Sequence, residues 1–255
     1  MITDRIEIPG HGGHALSARL DRPAGAIRGC ALFAHCFTCS KDFHVVREIG
    51  RALTAEGMAL LRFDFTGLGQ SEGVFAETSF TTNLRDLELA AGWLAEHHEA
   101  PSVLVGHSLG GAAVLAVAER LPQVRCVATI GAPYDVELVR ELLGGPDYDA
   151  DGTAEVRVGG RPFRISKDFV SDLERHPQRE RIANLGRPLM VFHSPQDEVV
   201  PLSAATHIFK AARDPRSFVS LDGADHLVSR PEDGRFLGHV LAAWAERYLD
   251  RDPGA

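Results

Sequence analysis

The chain has 255 residues, with 27 Lys+Arg against 35 Asp+Glu and a formal net charge of −8. No run of Lys and Arg exceeds two residues, so the cationic clusters that neutralise phosphates or grip an anionic bilayer are missing, and nucleic acid and membrane surfaces are excluded as partners. At 44% hydrophobic and 24% charged, the composition is that of a globular protein with a large core, which excludes extensive disorder.

Asp4 and Glu7 stand where a secretory signal needs a cationic start and an apolar core, so a cytoplasmic location is expected. Alternating residues at 5–8 and 15–20, separated by Pro9-Gly10-His11-Gly12-Gly13, predict an antiparallel hairpin. Short apolar runs follow at 30–34, 58–65, 102–105, 125–130, 189–192 and 217–221, interleaved with segments of helical period at 43–56, 81–97, 109–120, 204–212 and 234–248. Runs without polar alternation suit strands covered on both faces, the condition inside a parallel sheet flanked by helices, so an α/β fold is predicted. The longest nearly apolar stretch, 109–118, is about half of the roughly 20 residues a bilayer span requires.

Between the runs at 125–130 and 189–192 the alternation breaks. The division expected is a single domain over 1–255, with a core of 1–133 and 187–255 and an inserted cap at 134–186. The insert opens with an acidic, loop-like stretch at 144–152. It continues as a hairpin of 155–158 and 161–165 around Gly159-Gly160, with Pro162 confining the second arm to an edge, and closes with one or two helices in 167–184. The four cysteines, Cys30, Cys36, Cys39 and Cys126, are too few for a disulfide framework, and in a reducing compartment thiols are the expectation.

Candidate chemistry centres on Gly106-His107-Ser108-Leu109-Gly110, a G-x-S-x-G sequence between an apolar strand and a helix rich in small residues. A serine on a sharp strand-to-helix turn needs neighbours without bulk, which Gly106 and Gly110 supply, and the helix N-terminus aims free N–H groups where an oxyanion forms. A nucleophilic serine needs a base, and the base an orienting acid, in the chain order serine, acid, histidine. Asp197 follows the apolar run Leu189-Met190-Val191-Phe192, and His226 follows Phe218-Val219-Ser220-Leu221, so both are expected beside Ser108 at the carboxyl edge of the sheet. Asp222 and Asp225 are alternative acids, while His35, His107 and His193 fit structural hydrogen-bonding roles better. The backbone N–H groups of Leu109 and Phe37 are the expected oxyanion pair. Phe37 stands in His35-Cys36-Phe37-Thr38, the loop that follows the third strand.

Three further motifs lead elsewhere. Gly67-Leu68-Gly69-Gln70-Ser71-Glu72-Gly73 fails the spacing of a dinucleotide fingerprint, because position 72 is Glu. Cys36 and Cys39 form C-x-x-C without a second ligand pair, so no metal and no cofactor are expected. Oxidation of this pair is expected to distort the Phe37 donor and lower activity. Arg157, Arg161 and Arg164 on the insert hairpin could receive an anionic substrate group, and also fit a solvated face.

Gly106 to Gly111, the stretch from Arg62 to Gly73 (Arg62-Phe63-Asp64-Phe65-Thr66-Gly67-Leu68-Gly69-Gln70-Ser71-Glu72-Gly73) and Gly223-Ala224-Asp225-His226 together resemble the α/β-hydrolase superfamily over nearly the whole chain. The resemblance implies a mostly parallel, eight-stranded sheet flanked by helices, with a small cap inserted after strand six. More narrowly, His35-Cys36-Phe37-Thr38-Cys39-Ser40-Lys41-Asp42, Gly159-Gly160-Arg161-Pro162-Phe163 and the stretch 217–226 resemble the hydrolase half of fusions with an OsmC-type peroxide-reducing domain, the OsmC part being absent from this chain. The cap is placed as in feruloyl and cinnamoyl esterases, which implies carboxylic ester substrates; Cys36 stands where their H-G-F-T motif has glycine. The expected protein is therefore a serine esterase, a monomer or homodimer acting on small-molecule esters of short to medium acyl or aryl groups. A peptidase or amidase with the same triad is the alternative in another reaction class. A redox-responsive interaction module using Cys36 and Cys39 is the alternative in another functional class.

Overall fold

The computed structural model describes residues 1–36, 39–158 and 161–249. Eight strands form one sheet in the order β1-β2-β4-β3-β5-β6-β9-β10. β1 (Ile2–Pro9) and β2 (Ala15–Arg22) pair antiparallel, and β2 joins β4 (Met58–Phe63) antiparallel. β3 (Gly29–Ala34), β4, β5 (Pro101–His107), β6 (Cys126–Ile130), β9 (Leu189–His193) and β10 (Arg216–Ser220) run parallel. Parallel strands share one carboxyl edge, so the loops after β3, β5, β9 and β10 all open on the same side.

The apolar runs are continuous because the sheet is covered twice. Along β3, Cys30, Leu32 and Ala34 face one core while Ala31 and Phe33 face the other. Along β9, Leu189 and Val191 take the first side while Met190 and Phe192 take the second. One layer is α1 (His44–Ala55) with α8 (Pro231–Leu249), which contribute Val45, Ile49, Leu237 and Leu241. The other is α2 (Phe80–His97), α3 (Leu109–Val117) and α7 (Leu202–Ala211), with Leu84, Leu87, Val114 and Ile208 facing in.

Between β6 and β9 the chain leaves the sheet. α4 (Val136–Leu143) starts where the Asp135 side chain accepts from the Leu138 N–H at 2.9 Å, and stops at Gly144, which takes the left-handed φ of 70° that ends helices. This helix is not among the segments expected from sequence; the acidic, glycine-rich stretch after it conceals a short apolar period in Leu138, Val139, Leu142 and Leu143. β7 (Thr153–Val158) and β8 (Arg161–Ser166) follow as an antiparallel hairpin whose Ala154–Ile165 and Val156–Phe163 pairs share the inner face. α5 (Lys167–Leu173), capped by the Ser166 side chain, and α6 (Gln178–Ala183) lead back to β9.

Behind β4, the loop at 64–73 is pinned by buried carboxylates. Asp64 accepts from the Lys41 backbone N–H at 2.7 Å, the Lys41 ammonium at 2.6 Å and the Gln70 N–H at 2.9 Å. Asp86 on α2 accepts from the Thr66 N–H and hydroxyl at 2.9 and 3.0 Å. Burial outweighs these two donors and pushes the Asp86 carboxyl from 3.8 up to about 6. A raised folded value favours the protonated form, so this group's stabilising contribution is complete below pH about 4 and is lost as the pH rises through about 6. Asp86→Asn keeps an acceptor for the Thr66 N–H and removes the charge. The variant is expected to gain roughly 1–3 kcal/mol over the parent at pH 7 and little at pH 4 in urea titrations. A pH-independent difference would contradict the assignment.

Candidate active site

Ser108 sits where β5 ends and α3 begins, with φ 54° and ψ −123°, a conformation that costs a non-glycine residue about 1–3 kcal/mol. Crowding on both sides enforces the turn. A Cβ on Gly106 would lie 2.3 Å from the Gly110 carbonyl oxygen, and one on Gly110 would lie 2.3 Å from the Ala34 carbonyl oxygen at the end of β3. Backbone atoms cannot yield that distance, which is the physical content of glycine two before and two after the serine. Leu109 opens α3, so its N–H has no acceptor within the helix and lies at the positive end of the helix dipole.

His226, in the loop after β10, brings Nε2 to 3.1 Å from Ser108 Oγ, and its Nδ1 lies 2.7 Å from Asp197 Oδ2. A carboxylate only accepts, so Nδ1 carries the proton and Nε2 presents its lone pair to the Ser108 hydroxyl. The Asp197 and His226 side chains are 2% and 6% exposed. Burial alone would raise the Asp197 carboxyl, but the His226 hydrogen bond and charge and the Val200 and Val199 N–H donors, at 2.8 and 2.9 Å on Oδ1, outweigh it and hold it below its ordinary value. The alternative acids are engaged elsewhere. Asp225 Oδ1 accepts from the Ser229 N–H at 2.7 Å, and Asp222 Oδ1 from the Ser220 hydroxyl at 2.5 Å.

The neighbouring histidines brace this arrangement. His107 Nε2–H donates to the His226 carbonyl at 2.8 Å, and burial drives its ring to about 3, so it stays neutral. His193 donates to the Val200 carbonyl at 2.8 Å, fixing the turn that presents two N–H groups to Asp197. His35 Nδ1–H donates to the Cys36 carbonyl at 2.6 Å while its Nε2 accepts the Phe65 N–H at 3.3 Å. The Ser194 hydroxyl donates to the Ala224 carbonyl at 2.6 Å, tying the Asp197 loop to the His226 loop.

Ser108, Leu109, Cys36 and His226 form the floor of a cavity that opens to solvent. Its walls are Pro133, then Val139, Leu142 and Leu143 of α4, Phe163 of β8 and Phe169 of α5. None of these wall residues carries a charge. Sequence reading did not single out these inserted residues as site residues, although Phe163 and Ile165 alternate with the exposed Pro162 and Arg164 as an inward face requires. The hairpin arginines Arg157 and Arg164, candidates to receive an anionic group, lie elsewhere. Arg157 and Arg164 are exposed, Arg164 is ion-paired with Asp149 at 2.7 Å, and neither lines the cavity; the Arg161 side chain lies outside the described part. Phe37, the second expected oxyanion donor, also lies outside the described residues.

One expectation is corrected. Cys36 and Cys39 are joined by a disulfide, with Cα atoms 5.3 Å apart, where free thiols were expected. The loop turns back on itself through the Cys39 N–H, which donates to the Cys36 carbonyl at 3.1 Å and brings the two side chains together. The two sulfurs and a ring nitrogen of His107 lie within 4.8 Å of one another, but sulfurs bonded to each other offer no thiolate to a metal. Cys30 and Cys126 are free and buried.

A family profile described as serine aminopeptidase, S33, matches residues 27–143. The esterase domain of a Rhodothermus marinus protein is 50% identical with a TM-score of 0.85, covering 98% of this chain and 100% of that one. Est1E from Butyrivibrio proteoclasticus, solved with ferulic acid bound, is 20% identical with a TM-score of 0.82 over 96% of this chain and 100% of that one, a likeness of fold. Mouse mitochondrial palmitoyl-protein thioesterase ABHD10 is 29% identical over 154 residues, 57% of this chain and 50% of that protein. An alignment with a Mycobacterium tuberculosis protein covers 60% of that protein, so the chain spans about half to three fifths of the length of these two curated relatives. Among the described residues, no helix is long and apolar enough to cross a membrane.

Proposed function

The chain belongs to the α/β-hydrolase superfamily, and from that premise we propose that it is a serine esterase cleaving carboxylic esters of short to medium acyl or aryl groups. The observation that carries this reading is the unbroken hydrogen-bond chain from Ser108 through His226 to Asp197 beneath an apolar cavity. Ser108 Oγ attacks the acyl carbonyl carbon as its proton passes to His226 Nε2, and Asp197 stabilises the imidazolium without taking the proton. The tetrahedral oxyanion is held by the N–H groups of Leu109 and Phe37, each worth about 3–4 kcal/mol in the transition state. His226 returns the proton to the leaving alkoxide, leaving an acyl-Ser108 intermediate. Water then attacks that ester with His226 again as base, releasing the acid and restoring Ser108. The segment 134–186 acts as a cap that selects the acyl or aryl group.

The second reading, an aminopeptidase, is favoured by the description of the matching family profile. An aminopeptidase must bind an α-ammonium, which calls for a carboxylate near the scissile bond. Among the described residues none lines the cavity around Ser108. Asp135, in an adjoining recess, caps α4. Ester substrates with apolar acyl groups fit the walls better.

Initial rates on p-nitrophenyl esters from acetate to dodecanoate test the reading. Each methylene buried against Leu142, Leu143 and Phe169 is expected to raise kcat/KM by up to about fourfold, from roughly 0.8 kcal/mol per methylene. The gain should stop at about four to eight carbons, the short to medium range of acyl groups proposed above. Absence of hydrolysis across the series, alongside cleavage of aminoacyl p-nitroanilides, would favour the peptidase.

A further inference from the structure

The Cys36–Cys39 disulfide is part of the wall beside the candidate nucleophile and plays no part in the chemistry above. Cys36 lines the cavity with Ser108 and His226 and is buried; Cys39 is half-buried. The segment that carries the bond runs between two fixed points. Upstream is β3, whose Ala34 carbonyl packs against Gly110 of the elbow. Downstream is Lys41, held by Asp64 through both its backbone N–H and its ammonium. Between these points the Cys36 carbonyl accepts from His35 Nδ1–H and from the Cys39 N–H. The disulfide is the covalent closure of that turn.

We propose that Cys36–Cys39 is a thiol-modification site: a dithiol reduces the bond, and the reduced loop hydrolyses esters more slowly. The reductant's thiolate attacks the half-buried Cys39 Sγ, forming a mixed disulfide and releasing the Cys36 thiolate. The reductant's second thiolate then displaces Cys39. Two electrons pass from the dithiol, which leaves as its own cyclic disulfide, to the two cysteines, which take up its two protons. The other two cysteines do not compete. Burial pushes the Cys30 thiol up to about 11 and raises Cys126 further, so neither forms a reactive thiolate in the folded protein. The sign is opposite to that expected from sequence, where oxidation was the damaging step. In the structure the bonded pair accompanies the Ser108–His226–Asp197 hydrogen bonds already made.

The loss of rate rests on the esterase reading, and the test separates the two. The native protein is treated with dithiothreitol, desalted without air and assayed on a p-nitrophenyl ester. A parallel sample is capped with N-ethylmaleimide for mass mapping, and amide exchange is followed across residues 34–43. Expected are two adducts, on Cys36 and Cys39, a fall in kcat of about tenfold or more, faster exchange across 34–43, and recovery of the rate with diamide. Cys39→Ser is expected to run at the reduced rate with or without dithiothreitol. Two labelled cysteines with a rate within twofold of the oxidised enzyme would overturn the proposal, as would a bond that dithiothreitol leaves intact in the folded protein. Should the oxidised protein hydrolyse no ester, the esterase reading falls by itself. Exchange then decides for the loop: faster exchange on reduction supports the thiol-sensitive turn, and unchanged exchange overturns it.

Discussion

Ser108→Ala is expected to lower kcat on a p-nitrophenyl ester by on the order of 10⁶, the scale on which a serine hydrolase loses activity with its nucleophile. The loss should fall on kcat, because the proposed acyl-binding wall of Val139, Leu142, Phe163 and Phe169 is left in place by the substitution. KM should therefore change by no more than a few fold. A residual rate about 10³-fold above water is compatible with the mechanism, since the oxyanion donors and the binding surface survive. The fold should survive too: the hydroxyl removed hydrogen-bonds to His226, its partner in the site, and the strained backbone at φ 54° belongs to the turn. A kcat loss below about tenfold would mean that another group attacks the substrate.

Asp197→Asn is expected to cost about 10⁴ in kcat at neutral pH with the site's shape preserved. The Val199 and Val200 N–H groups point at one oxygen of the carboxylate, so the asparagine amide must place its own oxygen there. Its NH₂ then faces His226 Nδ1 and forces that nitrogen to accept. The ring proton moves to Nε2, where it points at Ser108 and can no longer receive the hydroxyl proton. In the parent enzyme, His226 and the two N–H donors hold the Asp197 carboxyl below its ordinary range, so it stays ionised through neutral and mildly acidic pH. Steady-state kinetics on purified Asp197→Asn checks this. A loss smaller than about tenfold would move the orienting role to Asp222 or Asp225.

The sheet and the approach of Ser108, Asp197 and His226 are legible in the residues because both follow from local rules. An apolar run that ends in a polar loop marks the carboxyl edge of a parallel strand, and three such loops carry the serine, the acid and the histidine in order. The 3.1 and 2.7 Å hydrogen bonds among them could not be read from spacing, which brings residues to an edge without orienting their rings. The inserted segment is less legible for a physical reason. α4 has eight residues, and its apolar side becomes visible only once the cavity it faces is known. Arg157 and Arg164 draw attention as charges, whereas Phe163 between them looks like an ordinary strand residue and is the one that reaches the cavity. The disulfide was missed because composition argues from compartment, while the turn that apposes Cys36 and Cys39 is set by the Cys39 N–H bond to the Cys36 carbonyl.

Trapping the acyl-enzyme tests the central claim most directly. The protein is mixed with excess p-nitrophenyl ester, quenched in acid during turnover, and its intact mass and digest are read by mass spectrometry. The mechanism predicts one acyl group per chain, mapped to Ser108 and absent from Ser108→Ala. An acyl group on Cys36 or any other side chain, or steady turnover with no adduct under conditions where deacylation limits the rate, would contradict it.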